Sequence, residues 1–413
     1  MNDRLRIVDI AKKFAMWFMA AYFITLMIFS FRTEYVRISN TLFIMFAGMV
    51  GLYRMVNLEV KRSNFYYYIF GILLLSVMSY YWAPAKNIVI NTTRTYFYLT
   101  ILAIAIINII ETPEDLTYAL KALGIAGVVM CIYTVFTYGF DTFINLMKEG
   151  ERLGAEVNHE NTFGTFCTIS FAILITTAIF EKKALYYVLS AIPFIFSFTS
   201  GSRKVIIGII IVFAIIIILN TNSKKIISSV IIATVVIYIV SLMANSIYFA
   251  NIFERFEQFE NLFNGSGKRA DGSTRLRFEM IRLGLQWFIE KPVFGHGTYQ
   301  YNYLFNLIYG YNTYSHNFYI QQLVSFGIVG FSMFIGMYYE IFKNVIKFVK
   351  KDTNAKIILI FVTIMVINGF AMEYSTSKLY FILLGFGFSF INVYKKSYKI
   401  RGVTPVKEPK KRR

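Results

Sequence analysis

Charge is scarce in this sequence: 16% of its 413 residues are Asp, Glu, Lys or Arg. A soluble domain carries about 25%, so long stretches of the chain are built to face something other than water. Histidine and cysteine are rarer still, with three of the first and two of the second. No two of His159, His296 and His316 share a metal-ligand spacing such as i and i+4, which argues against a metal-dependent hydrolase. Cys131 and Cys167 both lie in apolar segments and read as small core hydrophobes, not as a redox pair. No cleavable signal peptide is evident, because the first apolar stretch, 14–31, is followed by Arg32 and not by a small-residue cleavage site. No internal repeat is found.

What is abundant is hydrophobic residues, 57% of the chain. A helix needs roughly 20 apolar residues to cross a bilayer. Hydropathy places spans near 14–31, 39–56, 65–82, 95–110, 117–138, 162–180, 184–199, 204–220, 226–247, 317–342, 356–372 and 378–394. The expected fold class is therefore all-α, a polytopic membrane protein of about 12 transmembrane helices. Residues 1–247 hold the first nine spans, 248–316 a large extracytoplasmic loop, 317–394 the last three spans and 395–413 a basic tail. Aromatic residues at span ends, such as Tyr66, Tyr67, Tyr68, Tyr80, Tyr81 and Trp82, fit an interfacial belt.

The net charge of +19 reads first as a topology signal, not as a nucleic-acid footprint. An even number of spans puts both termini on one side. Lys12, Lys13, Lys182, Lys183, Lys224, Lys225, Lys350, Lys351 and the cations from Lys395 onward share that side. Both termini are thus expected in the cytoplasm, with Gly402 to Arg413 a disordered extension touching anionic lipid. All three histidines and the long loop then fall outside.

Four outer features can carry chemistry. In Ser200-Gly201-Ser202-Arg203-Lys204, two cations at a helix mouth either snorkel to headgroups or grip an anion. In Asn158-His159-Glu160-Asn161-Thr162, Asn158 or Asn161 can cap a helix, and the His–Glu pair can move a proton. Asn264-Gly265-Ser266-Gly267 is turn-rich, and residues 275–291 then read as an amphipathic helix ending before Pro292. Its polar face is expected at Arg275, Glu279, Arg282, Gln286 and Glu290, and its apolar face at Phe278, Ile281, Leu285, Phe288 and Ile289. That helix is expected to lie on the bundle or the membrane surface. Arg277 points to the edge of the apolar face and needs a partner, either a structural carboxylate or a substrate phosphate. Last come Pro292-Val293-Phe294-Gly295-His296-Gly297 and Tyr314-Ser315-His316-Asn317, where the chain re-enters the membrane. His316 there is either an interfacial group held by its neighbours or a proton acceptor.

Together these features resemble the O-antigen ligase and polysaccharide polymerase family of bacterial envelopes. The resemblance is carried by Arg277-Phe278-Glu279, Trp287, Lys291-Pro292, Phe294-Gly295-His296-Gly297, Ser315-His316-Asn317, Leu323 and Gly327-Ile328-Val329-Gly330. Ser200-Gly201-Ser202-Arg203 and the Asn158–Asn161 stretch look like two further recurring pieces. The resemblance is specific over about 155–335 and architectural elsewhere. The chain departs at Ile281, where tryptophan is frequent, and at His296, a position often apolar, so no role is carried to His296.

The resemblance implies a GT-C-like enzyme that takes a glycan from undecaprenyl pyrophosphate at the outer leaflet. It implies neither metal nor other cofactor. The donor, the acceptor and the bilayer are the implied partners, with a chain-length regulator as an optional one and no nucleic acid. Arg203, Arg277 and His316 are the expected catalytic groups. Lys204, Arg275, Asn317, His159, Glu160 and Asn161 are expected to bind substrate, with Glu160 the alternative base. A polymerase joining lipid-linked repeats is favoured over a ligase serving a lipid A core, because the Lys-, Ile-, Asn- and Tyr-rich composition suggests an AT-rich genome. A flippase is the rival class. It should show repeated halves with interrupted helices, which the sequence lacks.

Overall fold

The structure is a computed structural model that describes residues 2–29, 32–57, 61–149, 151–154, 157, 159–220 and 272–400. Among them every regular element is helical. The long apolar runs form α1 (Asn2–Phe29), α2 (Val36–Asn57), α3 (Phe65–Met78), α4 (Lys86–Ile109), α5 (Pro113–Tyr138), α7 (Glu160–Glu181), α8 (Ala184–Thr199) and α9 (Arg203–Leu219). After the break come α12 (Phe318–Val345), α13 (Thr353–Asn368) and α14 (Lys378–Ile400). Three helices are not apolar runs: α6 (Phe140–Glu149), α10 (Gly272–Glu290) and α11 (Tyr301–Tyr309). The span expected at 226–247, the Asn264-Gly265-Ser266-Gly267 turn, Asn158 and the tail from 401 lie outside the described residues.

Six helices are long and apolar enough to cross a membrane, and three shorter apolar ones, Phe65–Tyr81, Ala184–Thr199 and Thr353–Asn368, pack among them. The chain is a multi-pass membrane protein. Burial sorts the helices: 83% of the apolar window of α7 is enclosed but 28% of that of α2. So α7 is a central helix, while α2 turns residues such as Ile44, Leu52 and Met55 outward. Exposed apolar surface on that scale would aggregate in water and is stable against lipid. Cys131 of α5 and Cys167 of α7 are buried with their sulfurs 3.7 Å apart, packing as part of the core.

Polar groups gather in networks at the ends of these helices. In one of them Glu111 receives Arg54 at 2.6 Å, Lys12 at 3.5 Å and the Tyr53 hydroxyl at 2.7 Å, and Asp115 receives Lys12 at 2.6 Å. Asp115 also closes the capping box with Thr112 that starts α5. This network ties α1, α2, α4 and α5 together. Arg54 is 8% exposed, so removing its partner strands a buried charge. Glu111→Ala is expected to lower stability by about 3–5 kcal/mol. A thermal melt of the purified protein showing an unchanged midpoint would contradict that.

Candidate functional site

The helix α12 breaks within its length. Gly327 adopts φ 60°, ψ −161°, a conformation open essentially to glycine alone. The break frees backbone groups, and the segment 292–297 satisfies them. His296 N donates to Val324 O at 2.8 Å and Gly297 N to Ser325 O at 3.1 Å, while Ile328 N and Val329 N donate to the Pro292 and Val293 carbonyls. Two backbones this close leave no room for side chains. A Cβ on Gly295 would sit 2.6 Å from the Val324 carbonyl oxygen, and one on Gly327 would collide with the Val293 and Pro292 carbonyls. The Phe294-Gly295-His296-Gly297 and Gly327-Ile328-Val329-Gly330 motifs are thus two halves of one joint. Gly327→Ala is expected to destabilise the joint by about 1–3 kcal/mol or more and to abolish function with it. Wild-type melting and activity in that variant would refute the assignment.

His296 belongs to this joint. It is 5% exposed, and its Nε2 lies 2.8 Å from the Trp287 carbonyl at the end of α10. Burial pushes its pKa below the usual histidine value. The face of α10 that meets the bundle includes Ile281 but is otherwise not the apolar face read from the sequence. Met280, Leu283 and Trp287 are buried against Tyr301, Phe305, Ile320 and Val324, and Gly284 lets the helix approach Ile320. Phe278, Leu285 and Ile289 stay exposed. The helix carries two apolar stripes, and the one read from the sequence, expected on the bundle or the membrane surface, faces mostly outward. Small and aromatic residues (Gly284 and Trp287) made the true seam look thin. Arg277 sits between the stripes, half-buried, while Arg275 is exposed. Glu279 pairs with Arg282, on the polar face as expected.

The second wall is Ser200-Gly201-Ser202, which turns α8 into α9. Gly201 is left-handed at φ +59°, and a Cβ there would press on the Arg152 side chain. Arg152 braces the turn, donating from Nε to Ser200 O at 2.8 Å and from its terminal nitrogen to Asn161 Oδ1 at 3.2 Å. Asn161 therefore positions a cation instead of capping α7. The cap is His159, whose Nδ1 accepts from the Asn161 amide at 3.3 Å. That corrects the expectation of an asparagine cap. His159 is about half exposed and lies 3.7 Å from Glu160.

The third wall is Tyr314-Ser315-His316-Asn317. Ser315 Oγ donates to Asn317 O at 2.6 Å, and Ser315 N donates to Gln321 Oε1 at 3.1 Å. Asn317 caps α12 through its side-chain oxygen, accepting from Ile320 N at 3.1 Å, and its amide donates to Phe370 O at 3.2 Å. This clamp holds His316 at φ +52°, a left-handed conformation that histidine adopts only when its surroundings impose it. The imidazole packs on Tyr314 with ring centres 4.2 Å apart.

The three walls converge electrostatically. Burial first, then the positive charges of Arg277 and Lys204, lower the pKa of His316 to about 4. Lys204 in turn lies within electrostatic reach of Arg277, Arg203 and Arg152. So Arg277 and Lys204 reach the imidazole, and Arg203 and Arg152 reach Lys204. Neither Arg277 nor Lys204 makes a hydrogen bond or ion pair with any of the described residues.

One acid stands nearby that the sequence reading missed. Glu373, in the turn between α13 and α14, accepts from Tyr299 Oη at 3.1 Å, Gln322 Nε2 at 3.4 Å and Ser375 N at 2.8 Å. Burial pushes its pKa above the usual carboxylate value. Tyr299 is itself left-handed at φ +59°. Tyr314 feels both Glu373 and Arg277, which places the acid beside the cationic region. The signal available was a lone carboxylate between two closely spaced apolar runs.

Residues 188–335 match the protein-family model described as O-Antigen ligase. The matched segment includes Arg203, Lys204, Arg277 and His316, and it supports the O-antigen ligase and polymerase family for this chain. No curated protein matches the chain as a relative.

Proposed function

We propose that this chain, with its O-antigen ligase segment at 188–335, is a polysaccharide polymerase of the bacterial cytoplasmic membrane. Its donor is a glycan on undecaprenyl pyrophosphate, and its acceptor is a sugar hydroxyl of a second lipid-linked repeat. Both termini are cytoplasmic, about 12 helices span the bilayer, and the site faces outward. One observation carries the reading: Arg277 and Lys204 are part-buried and make no hydrogen bond or ion pair with any of the described residues. Like charges crowded away from water are costly unless an anion joins them. A pyrophosphate is such an anion.

The chemistry follows from the charges. The acceptor oxygen attacks the anomeric carbon while the bond from that carbon to the pyrophosphate oxygen breaks. The hydroxyl proton passes to His316, and undecaprenyl pyrophosphate leaves with the bonding pair. One in-line displacement inverts the anomeric centre. Arg203, Arg277 and Lys204 stabilise the developing phosphate charge without reorganising. Arg152 acts through the Ser200 turn, and the clamp around Ser315 and Asn317 fixes the base.

The depressed pKa of His316 has a role in this scheme. A base with a pKa near 4 is neutral but weak. A bound pyrophosphate offsets the charges of Arg277 and Lys204 that help hold the value down, so the base strengthens when donor is present.

The test is transfer by the purified protein given a lipid-linked repeat unit as its sole substrate. Polymerase activity predicts a ladder of longer glycans still on the carrier lipid. A family model described as O-Antigen ligase keeps a second reading alive, in which the glycan passes to a different lipid acceptor. Single-step transfer to lipid A core without a ladder would favour it. No elongation and no transfer would overturn both.

A further inference from the structure

An open cleft of about 830 Å³ lies between the turn into α4 and α11. Lys86, Asn87, Asn302, Tyr303, Asn306 and Asn312 are among its lining residues, and none of the cations of the proposed pyrophosphate region is. The volume is within the range of about 300–1,000 Å³ typical of small-ligand sites. Asn312 stands four residues before His316, so one lining residue belongs to the same loop as the proposed base.

The lining has an unusual chemistry. Each asparagine offers two N–H donors and a carbonyl acceptor without net charge. None of these four amide side chains makes a hydrogen bond with any of the described residues, and Asn302 Oδ1 is buried without a partner there. Asn302 and Asn306 are half-buried and Asn87 and Asn312 exposed, so all four amides are left uncommitted by the fold among the described residues. Among the described residues no carboxylate lines the cleft, and the one cation there, Lys86, lies over the Tyr80 ring at 5.1 Å. That is too little charge for a pyrophosphate and too much polarity for a lipid tail. The walls are also fixed in place. Gln300 clamps Ala85 reciprocally, donating to its carbonyl at 3.0 Å and accepting from its amide at 2.9 Å, while Thr298 hydrogen-bonds Ser76 and Ser79.

Neighbouring sugar hydroxyls and acetamido groups both donate and accept, at short spacing and without charge. They complement a rigid array of amides with an aromatic at its side. We infer that this cleft is a saccharide subsite that grips the glycan next to the reacting hydroxyl. The inference rests on the reading of the protein as a glycan-transferring enzyme, and it adds where the uncharged part of the substrate is held.

The experiment uses the full chain in lipid nanodiscs. The probe is the lipid-free oligosaccharide released from the source cell's own polysaccharide by partial acid hydrolysis, followed by saturation-transfer NMR. Wild type and His316→Ala should both bind it. The double variant Asn87→Ala/Asn312→Ala, at two exposed positions that cannot unfold the bundle, should raise Kd at least tenfold. Asn306→Ala, from the α11 wall, should act in the same direction. An unchanged Kd in the double variant, or no binding by wild type, overturns the subsite. Binding that depends on the asparagines in a protein that transfers nothing would sink the enzyme and leave the subsite standing. Transfer whose acceptor KM ignores the asparagines would do the reverse.

Discussion

Replacing His316 by alanine is expected to lower glycan transfer by about 10²–10⁴-fold, the usual contribution of a positioned base. Protein level and membrane insertion should be unchanged, because the clamp around this residue uses Ser315, Asn317 and Gln321 and not the imidazole. A gel of extracted polysaccharide showing normal chain lengths would remove His316 from the chemistry. The pH dependence carries a second signature. The base works only when deprotonated, so activity falls as pH drops through its pKa. In the free protein that limb, read from kcat/KM, lies near 4. In the donor complex, read from kcat, it should sit at higher pH, because the bound anion cancels part of the surrounding positive charge. A kcat limb at or below the kcat/KM limb would contradict the coupling.

Arg277→Ala is expected to cost about 10²–10³-fold in turnover, the scale of losing one fixed stabiliser of transition-state charge. It should also raise the pKa of His316, since Arg277 is the stronger of the two charges that depress it. The two effects separate the roles. A merely structural arginine would change melting behaviour without moving the histidine. Arg203→Lys should recover part of what Arg203→Ala loses, because charge survives while the two-pronged grip does not. Wild-type turnover in both Arg203 variants would end the pyrophosphate clamp.

Much of the bundle was legible because lipid imposes a simple rule: a long apolar run becomes a helix. All the expected spans within the described residues coincide with helices. A tight turn at Gly295 and Gly297 was legible, but its pairing with the break at Gly327 was not, because that contact joins segments about 30 residues apart. The seam of α10 was not legible. Phe278, Leu285 and Ile289 form as good an apolar stripe as Met280, Leu283 and Trp287, and periodicity cannot say which one meets the protein and which the surroundings. Arg152 and Glu373 were missed because their importance is purely spatial. Arg152 acts through a carbonyl 48 positions away and Glu373 through a hydroxyl 74 positions away. The cap at His159 was missed because asparagine is the commoner cap, and two flanked it.

The central claim is that part-buried cations hold a pyrophosphate beside a histidine whose basicity they help to lower. Three histidines in the whole chain make it directly measurable. With ¹⁵N-histidine label, the three ring signals can be assigned by single substitution and titrated in nanodiscs, first alone and then with a short-chain prenyl pyrophosphate. The account predicts a His316 midpoint near 4 in the free protein that climbs toward 6.5 on addition of the pyrophosphate, while His296 stays put. A His316 midpoint indifferent to the pyrophosphate would contradict it.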